Sequence, residues 1–565
     1  AITLKQSMQE ILRQYASHET GLFLLNLPTG FGKTYKVLQY IVDQYEDHRP
    51  IYFVTNLKKN LPLKKLQSLF KEKGLEKVFD DSVLFIDGTS VKVVEHITEL
   101  DDIPDEVRKW EEFRKLRQKA RLVNRFMESK KTTIAQAEAN TIIENEIRTE
   151  LEPQFRNRLI HYIEKNTSER GAYASPGRKL RWIRSNAAWI IDLYPSVTTS
   201  EKKIFFMSVD KFFARNVTLI QPSYYFHDHK SIDQALVFID EFDASKKPLL
   251  NNIIENGLSK RINLVALFQQ IYTTLSGLQF PATLLRESLA RQQKDYKSIQ
   301  EILDYLEVQA AELKSEFHLD VPFKTVSADN KRNFIFHDFE YETILKEGFR
   351  FISIVYSEEE QVNYVHFEHD KNKVKGISLP TMLAKLRAYI QYFSRGIWMT
   401  ALNYSELKQE SGSDDFPLES ALRTVLDLFN LDSLQVNYIM DIVANQHGRE
   451  VQEGLPRSNY LREHSFYMNG FRYYDFVDSE NHDLSSRIYL NTFEQTPEKL
   501  MLKLAQRANV IGISATATVP TVLGNYDLNF LRQRLGENFR TVNEAELAQL
   551  KERFRQLTVG YGQLE

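Results

Sequence analysis

The chain has 565 residues, 42% hydrophobic and 26% charged, with 73 Lys and Arg against 76 Asp and Glu for a formal net charge of −3. That is a multidomain globular composition, too long for one core, and it excludes a disordered chain or a uniformly basic binder while leaving room for a local basic groove. The absence of cysteine excludes disulfides, thiolate metal sites, cysteine-ligated iron–sulfur clusters and cysteine nucleophiles. It fits a reducing, cytoplasmic location, and no apolar run is long enough to span a bilayer.

Residues 22–27 are a short apolar run that stops at Pro28, after which Val37, Leu38, Ile41 and Val42 recur on one face of a predicted helix. Residues 51–55, 83–86, 204–209, 235–239 and 509–514 are further apolar runs bounded by turn residues. Continuous runs of this kind suit a parallel sheet covered on both faces, its strands joined by right-handed crossovers.

Two tracts of other character lie between them. Residues 101–200 read as a basic helical insertion: within 114–131, Arg114, Lys115, Arg117, Lys119, Arg121, Arg125, Lys130 and Lys131 oppose only Glu128. Arg170, Arg178, Lys179, Arg181 and Arg184 follow around Trp182. A solvated helical face accounts for this, and so does a phosphate-contacting surface; the one-sided charge favours the second. Residues 246–485 read as a mixed insertion, with helices over 284–313 and 380–393 and alternating strands over 350–356 and 363–367. A loop is expected at 411–415, and a hairpin at Asn469-Gly470 between 466–467 and 471–476.

Three short stretches carry chemistry. Leu27-Pro28-Thr29-Gly30-Phe31-Gly32-Lys33-Thr34 follows a predicted strand and opens a predicted helix, the setting of a phosphate loop. Its glycines let backbone N–H groups approach phosphate oxygens, and the helix N-terminus adds its positive end. Lys33 would reach the β/γ-phosphates of ATP and Thr34 would ligate Mg²⁺. The first glycine of the general pattern is replaced by Leu27. In Val237-Phe238-Ile239-Asp240-Glu241-Phe242-Asp243, a strand ends in acids at the edge of a parallel sheet where ligands bind. Asp240 would hold Mg²⁺ and Glu241 would orient and polarise the attacking water. Ser514-Ala515-Thr516 puts small hydroxyl residues at a third strand end, placed to link the carboxylates to a moving neighbour.

In this order the three stretches resemble motifs I, II and III of superfamily 2 helicases and translocases. Gln6 resembles the family's upstream adenine-reading glutamine, with Gln9 as the competing candidate. Val54 to Leu61 resembles motif Ia, which grips the nucleic-acid backbone, and Met207 to Phe212 resembles a second strand-touching segment. The resemblance spans one domain. It implies an α/β fold, a RecA-like P-loop domain interrupted by two large insertions. It implies ATP and Mg²⁺ as cofactors, held by Gln6, Pro28, Thr29, Gly30, Phe31, Gly32, Lys33 and Thr34, with Lys33, Asp240 and Glu241 catalytic. Ser514 and Thr516 would couple that site to a nucleic acid, DNA more readily than RNA with both left open, held by Thr55, Asn56, Lys58, Ser208 and Lys211.

The expected domains are 1–100, 201–245 and 486–525 for the RecA-like core, 101–200 and 246–485 for the insertions, and 526–565 as a linker or the start of a second motor domain. The insertion layout resembles the XPD/DinG group, whose iron–sulfur cluster the lack of cysteine forbids. The family's second RecA-like domain carries a Gln-x-x-Gly-Arg-x-x-Arg motif, and only 49 residues follow Thr516. Gly177-Arg178-Lys179-Leu180-Arg181 precedes motif II and Gln446-His447-Gly448-Arg449 precedes motif III, so neither serves. The expectation is an arginine finger from a second RecA-like domain or chain, and weak hydrolysis without it. The rival reading is an ATP-switched nucleic-acid sensor or scaffold subunit, as in a bacterial defence or restriction complex; a P-loop ATPase acting on proteins is a third.

Weaker features point to structure. His227-Asp228-His229 has two imidazoles at alternate positions without a third metal ligand nearby. The aromatics Tyr467, Phe471, Tyr473, Tyr474 and Phe476 suit a hairpin core better than base stacking, and Trp182 and Trp189 are read the same way.

Overall fold

The computed structural model describes residues 8–28, 31–56, 62–129, 133–168, 174–278, 299–325, 333–337, 343–345, 351–410, 418–453, 466–469, 471–477, 487–493, 495–515 and 525–562. The chain divides into two compact units, one of residues 1–252 with 497–565 and one of 253–496.

The first unit is α/β, built on a seven-stranded sheet whose strands all run parallel. Its strands are β1 (Gly21–Asn26), β2 (Ile51–Thr55), β3 (Val83–Ile86), β4 (Ile204–Ser208), β5 (Leu236–Asp240), β6 (Asn509–Ser514) and β7 (Phe539–Thr541). They lie in the order β7-β1-β6-β5-β2-β4-β3. Alternate residues face opposite layers. Phe23, Phe53, Phe206 and Phe238 are fully buried in one core with Ile11 and Leu12 of helix α1 (Met8–Ala16), Val37 and Ile41 of helix α2 (Lys33–Asp43), and Phe70. On the other face Tyr52 stacks on Phe205 at 4.9 Å and meets Phe212 and Phe226 edge-on. Burial on both sides is why these strands read as unbroken apolar runs.

The stretch 526–565, read as a linker or the start of a second motor domain, groups with this first unit. It adds the helix Leu528–Leu535, strand β7, which pairs parallel to β1, and the helix Glu544–Gly562 to the same unit. The basic tract folds into helices around a core of its own, running from Val93 to Ile220. Helix α3 (Glu111–Glu128) turns Phe113, Leu116, Ala120 and Val123 into that core. Helix α4 (Ile134–Glu146) opens on a capping box, Thr133 Oγ1 accepting from Gln136 N–H and Gln136 Oε1 from Thr133 N–H. Helix α5 (Glu152–Thr167) starts at Glu152, which is buried and satisfied by Arg156 at 2.8 Å and by the Tyr194 hydroxyl at 3.1 Å. Trp182 packs edge-on against Tyr162, and Trp189 is buried.

The second unit carries two sheets and a helical core. In one sheet Phe351–Ser357 pairs antiparallel with Val362–Glu368, as the alternating pattern predicts. In the other, Phe471–Val477 pairs antiparallel with Arg487–Phe493 and Asn333–His337. The hairpin expected at Asn469-Gly470 does not form there, because Phe466–Asn469 is a helical turn rather than a strand. The helix Leu379–Glu410 is longer than its predicted core at 380–393. Within the described part of the other expected helix, Ile299–Phe317 is helical. The loop expected at 411–415 lies outside the described residues. Tyr474 is buried in the apolar core with Phe268, Leu386 and Phe393. Among the described residues no helix is long and apolar enough to cross a membrane.

Candidate functional site

Parallel pairing brings five strand ends to one edge of the sheet. Asn26 pairs with Ser514, Ile513 with Asp240, Asp240 with Thr55, and Thr55 with Ser208. Residues from four distant parts of the sequence therefore share one row. This is the carboxyl edge, where open parallel sheets bind ligands.

Helix α2 starts at this edge from Gly32, which has φ +65°. Glycine takes that left-handed conformation without a side-chain penalty. No side chain caps the helix and its first turn holds no acid. Among the described residues, its first N–H groups and dipole thus meet neither a side-chain cap nor an acid of their own turn. The Lys33 ammonium folds back onto the carbonyl oxygens of Leu27 and Pro28, the latter at 3.1 Å. Burial pulls the Lys33 pKa below its ordinary value, opposed by the fields of Asp240 and Asp243.

Thr34 Oγ1 donates to the Asp240 carboxylate, 3.2 Å from one oxygen and 3.3 Å from the other, across 206 residues of sequence. Burial pushes the Asp240 carboxyl above its ordinary value. The hydrogen bonds from Thr34 and the Glu241 N–H favour the charged form but do not outweigh it. Glu241 is exposed and sits at φ +52°, uncommon for a residue with a side chain. The turn is held from three directions. Phe242 N–H donates to Ile513 O at 3.0 Å, Ser245 N–H donates to Glu241 O at 3.1 Å, and the Phe242 ring is buried against Gly512. A methyl group on Gly512 would lie 2.8 Å from that ring and 2.7 Å from Leu24.

Several groups here were invisible in the sequence. The Ser245 hydroxyl donates to Phe242 O at 2.6 Å, so the Tyr526 hydroxyl, 2.8 Å away, must donate to Ser245. Tyr526 is fully buried, its ring 4.7 Å from that of Phe242, and burial keeps its hydroxyl protonated. Lys246 bonds Asn525 O at 2.9 Å and pairs with buried Glu498 at 2.6 Å. Ser514 Oγ donates to Asp243 at 2.7 Å, tying the third strand end to the acid turn. Asn26 accepts from Val542 N–H at 2.9 Å. No local pattern announces a lone Tyr, Lys or Asn as a partner for a distant turn.

The remaining expected site residues divide. Thr55 is fully buried, and its hydroxyl has no hydrogen-bond partner among the described residues. Asn56 is half-buried beside it. Ser208 caps the helix Val209–Phe213, accepting from Lys211 N–H at 3.2 Å, so its hydroxyl is spent on structure. Lys211 lies near the end of β3, lining a small cavity with Asp87, Tyr194 and Ser196. Pro28, Phe31 and Gly32 belong to the turn before α2, whereas Gln6, Thr29, Gly30, Lys58 and Thr516 lie outside the described residues. Gln9, the alternative adenine reader, donates to Lys36 O at 2.9 Å and staples α1 to α2.

His227 and His229 form no metal site. His227 packs among Phe213 and Tyr225, His229 Nδ1 bonds Ser231, and no cluster of three metal-ligating side chains occurs among the described residues. The sequence matches no known family model, and no curated protein is significantly similar to it.

Proposed function

We propose that this edge binds and hydrolyses ATP with Mg²⁺ in a RecA-like motor domain, and that the protein is a DNA helicase or translocase. The observation that carries the reading is the contact of Thr34 with Asp240. A hydroxyl from the start of α2 and a carboxylate from the tip of β5 are hard oxygen donors of the kind Mg²⁺ accepts beside phosphates. The donor set fits the ion. Asp240 is a buried carboxylate whose charge burial disfavours, and a divalent cation would supply the missing counter-charge.

The uncapped start of α2 would take the phosphate tail, and Lys33 would exchange its two carbonyl partners for phosphate oxygens. Bound Mg²⁺ would neutralise charge developing on the transferred phosphoryl group. Glu241, held outward by its left-handed turn, would orient a water and accept its proton. Asn56 and Lys211 near the neighbouring strand ends would face the nucleic acid, with Thr55 buried beneath them. Ser514 on Asp243 would pass changes at the acid turn to the strand beside it. Turnover would also draw on an arginine finger, a group that contributes roughly 10³–10⁵ in rate, so binding and turnover are separable readouts.

Binding is accordingly the first test. Titration of Mg²⁺·ATP into the protein should give saturable binding that Lys33→Ala weakens at least tenfold. Glu241→Gln should retain binding and abolish turnover and strand displacement. If the wild type binds no Mg²⁺·ATP at millimolar concentration, or if Lys33→Ala binds equally well, the reading fails. A Glu241→Gln variant that still displaces strands would remove the motor assignment.

A further inference from the structure

We propose that the solvent face of α3 is a docking stripe for the phosphate backbone of a single-stranded nucleic acid, made by Arg114, Arg121 and Arg125. The inference rests on the reading of the protein as one that acts on nucleic acid and extends it to a surface outside the nucleotide edge.

The structure separates the basic residues of this tract into those already used and those still available. Lys115 pairs with Glu111 at 2.7 Å and Lys119 with Glu146 at 2.8 Å. Lys179 pairs with Glu164 at 3.5 Å, and Arg184 with Glu201. Arg117 is turned inward, donating to Thr98 O and Leu100 O at 3.2 Å each. Arg114, Arg121 and Arg125 are exposed, and their side chains make no hydrogen bond or ion pair among the described residues. The carboxylate in electrostatic reach of Arg114 is Glu111, already engaged by Lys115.

Geometry puts the three in line. Positions i, i+7 and i+11 of a helix share one stripe, and exposed Gln118 at i+4 fills its gap. Over eleven residues the stripe runs about 16 Å along the axis. It points away from Phe113, Leu116, Ala120 and Val123, which pack into the core. Beside it Arg121 and Arg108 bear on Arg117 with like charge, opposed by Asp101. A concentration of like charge in a protein of net charge −3 raises the local potential and is relieved by a polyanion.

Guanidinium groups suit phosphate because their planar fork bonds two oxygens at once. A bilayer is the poorer fit, since a surface-lying helix must bury a broad apolar face in lipid, and outside its core face α3 exposes Leu122 and Met127 as large apolar side chains, on different sides of the helix. A folded protein partner would need an apolar centre that a row of arginines and a glutamine lacks.

The test is the salt dependence of binding to fluorescein-labelled oligo(dT) by the whole chain. Each phosphate contact on a single strand contributes about 0.7 to the slope of log K against log salt. The R114Q/R121Q/R125Q variant should therefore lose about 2 from the wild-type slope, and R121Q alone about 0.7. Lys115→Gln, whose ammonium is already neutralised by Glu111, should keep the full slope. Mg²⁺·ATP binding without DNA should be unchanged in all of them.

An unchanged slope in the triple variant, or in R121Q should the triple variant fold poorly, overturns the proposal. So does a wild type that ignores oligo(dT) but sediments with phosphatidylserine vesicles, or one that binds neither. Oligo(dT) binding with the expected slopes but no Mg²⁺·ATP binding would leave the stripe standing and sink the nucleotide site instead.

Discussion

The two edges of the seven-stranded sheet are both polar, but their polar groups are used differently. At the amino edge they are consumed by the fold. Arg507 bonds Asp233 and Asp228, each at 2.7 Å, and fastens the helix Pro497–Arg507 to the chain entering β5. Asn509, fully buried, donates to Tyr15 O at 2.7 Å and His18 O at 2.6 Å, closing α1 onto β6. At the carboxyl edge polar groups meet one another, or their own loop, without fastening separate elements to the same degree. Lys33 rests on two carbonyls of its own turn, Thr34 leans on a carboxylate that burial disfavours, and the buried Thr55 hydroxyl has no partner among the described residues. A fold gains little from such arrangements, so the row gains most from a ligand.

Substitutions at the two edges sharpen this contrast. The largest stability effect should come from Asn509→Ala at the amino edge. It removes two short bonds, leaving Tyr15 O to the His18 N–H and His18 O to Arg49, and should cost about 1–3 kcal/mol in urea unfolding, while the folded fraction keeps its Mg²⁺·ATP affinity. A loss of affinity beyond the loss of folded protein would break the comparison.

Asp240→Asn should act in the opposite direction. Burial raises the Asp240 carboxyl above its ordinary value, so the folded state favours the protonated form. The stability this gives is present below the ordinary aspartate pKa and lost as pH rises through the raised one. The nucleotide-free Asn variant should therefore melt higher than wild type at pH 7, the gap closing on acidification toward pH 4, while Mg²⁺-dependent nucleotide binding is lost. A lower melting temperature at pH 7 would show that the carboxylate is structurally needed.

The smallest effect belongs to Thr55→Val. Removing an unpaired buried hydroxyl should leave the unfolding midpoint unchanged or raise it by up to about 1 kcal/mol in free energy. A clear destabilisation would mean that the hydroxyl has a structural partner.

The elements of the sheet were legible where burial on both faces leaves an apolar run, which holds for β1 to β6. Strand β7 was not, because three residues carry no period and its pairing to β1 depends on register rather than on composition. The meeting of Thr34 with Asp240 was legible because parallel strands deliver their ends to one edge, so a loop after one strand and acids after another become neighbours. The hold of Tyr526 and Ser245 on the Glu241 turn joins residues 281 apart, and nothing local marks either as a partner. Ser208 stood out for its place at a strand end, yet an N-cap uses the same residue type for a different reason. The Asn469-Gly470 pair misled because that dipeptide makes a hairpin only when a strand enters it.

The clasp between Asn26 and Val542 has a mechanical consequence. Asn26 ends β1, directly before Leu27, and accepts the backbone N–H of the residue that leaves β7. Tension applied to the helix Glu544–Gly562, whether by a body grafted onto it or by a binding protein that seizes it, is therefore delivered within two residues to the turn beneath Lys33. Leverage on that helix would strain the turn through β1 and β7, the pair at that side of the sheet.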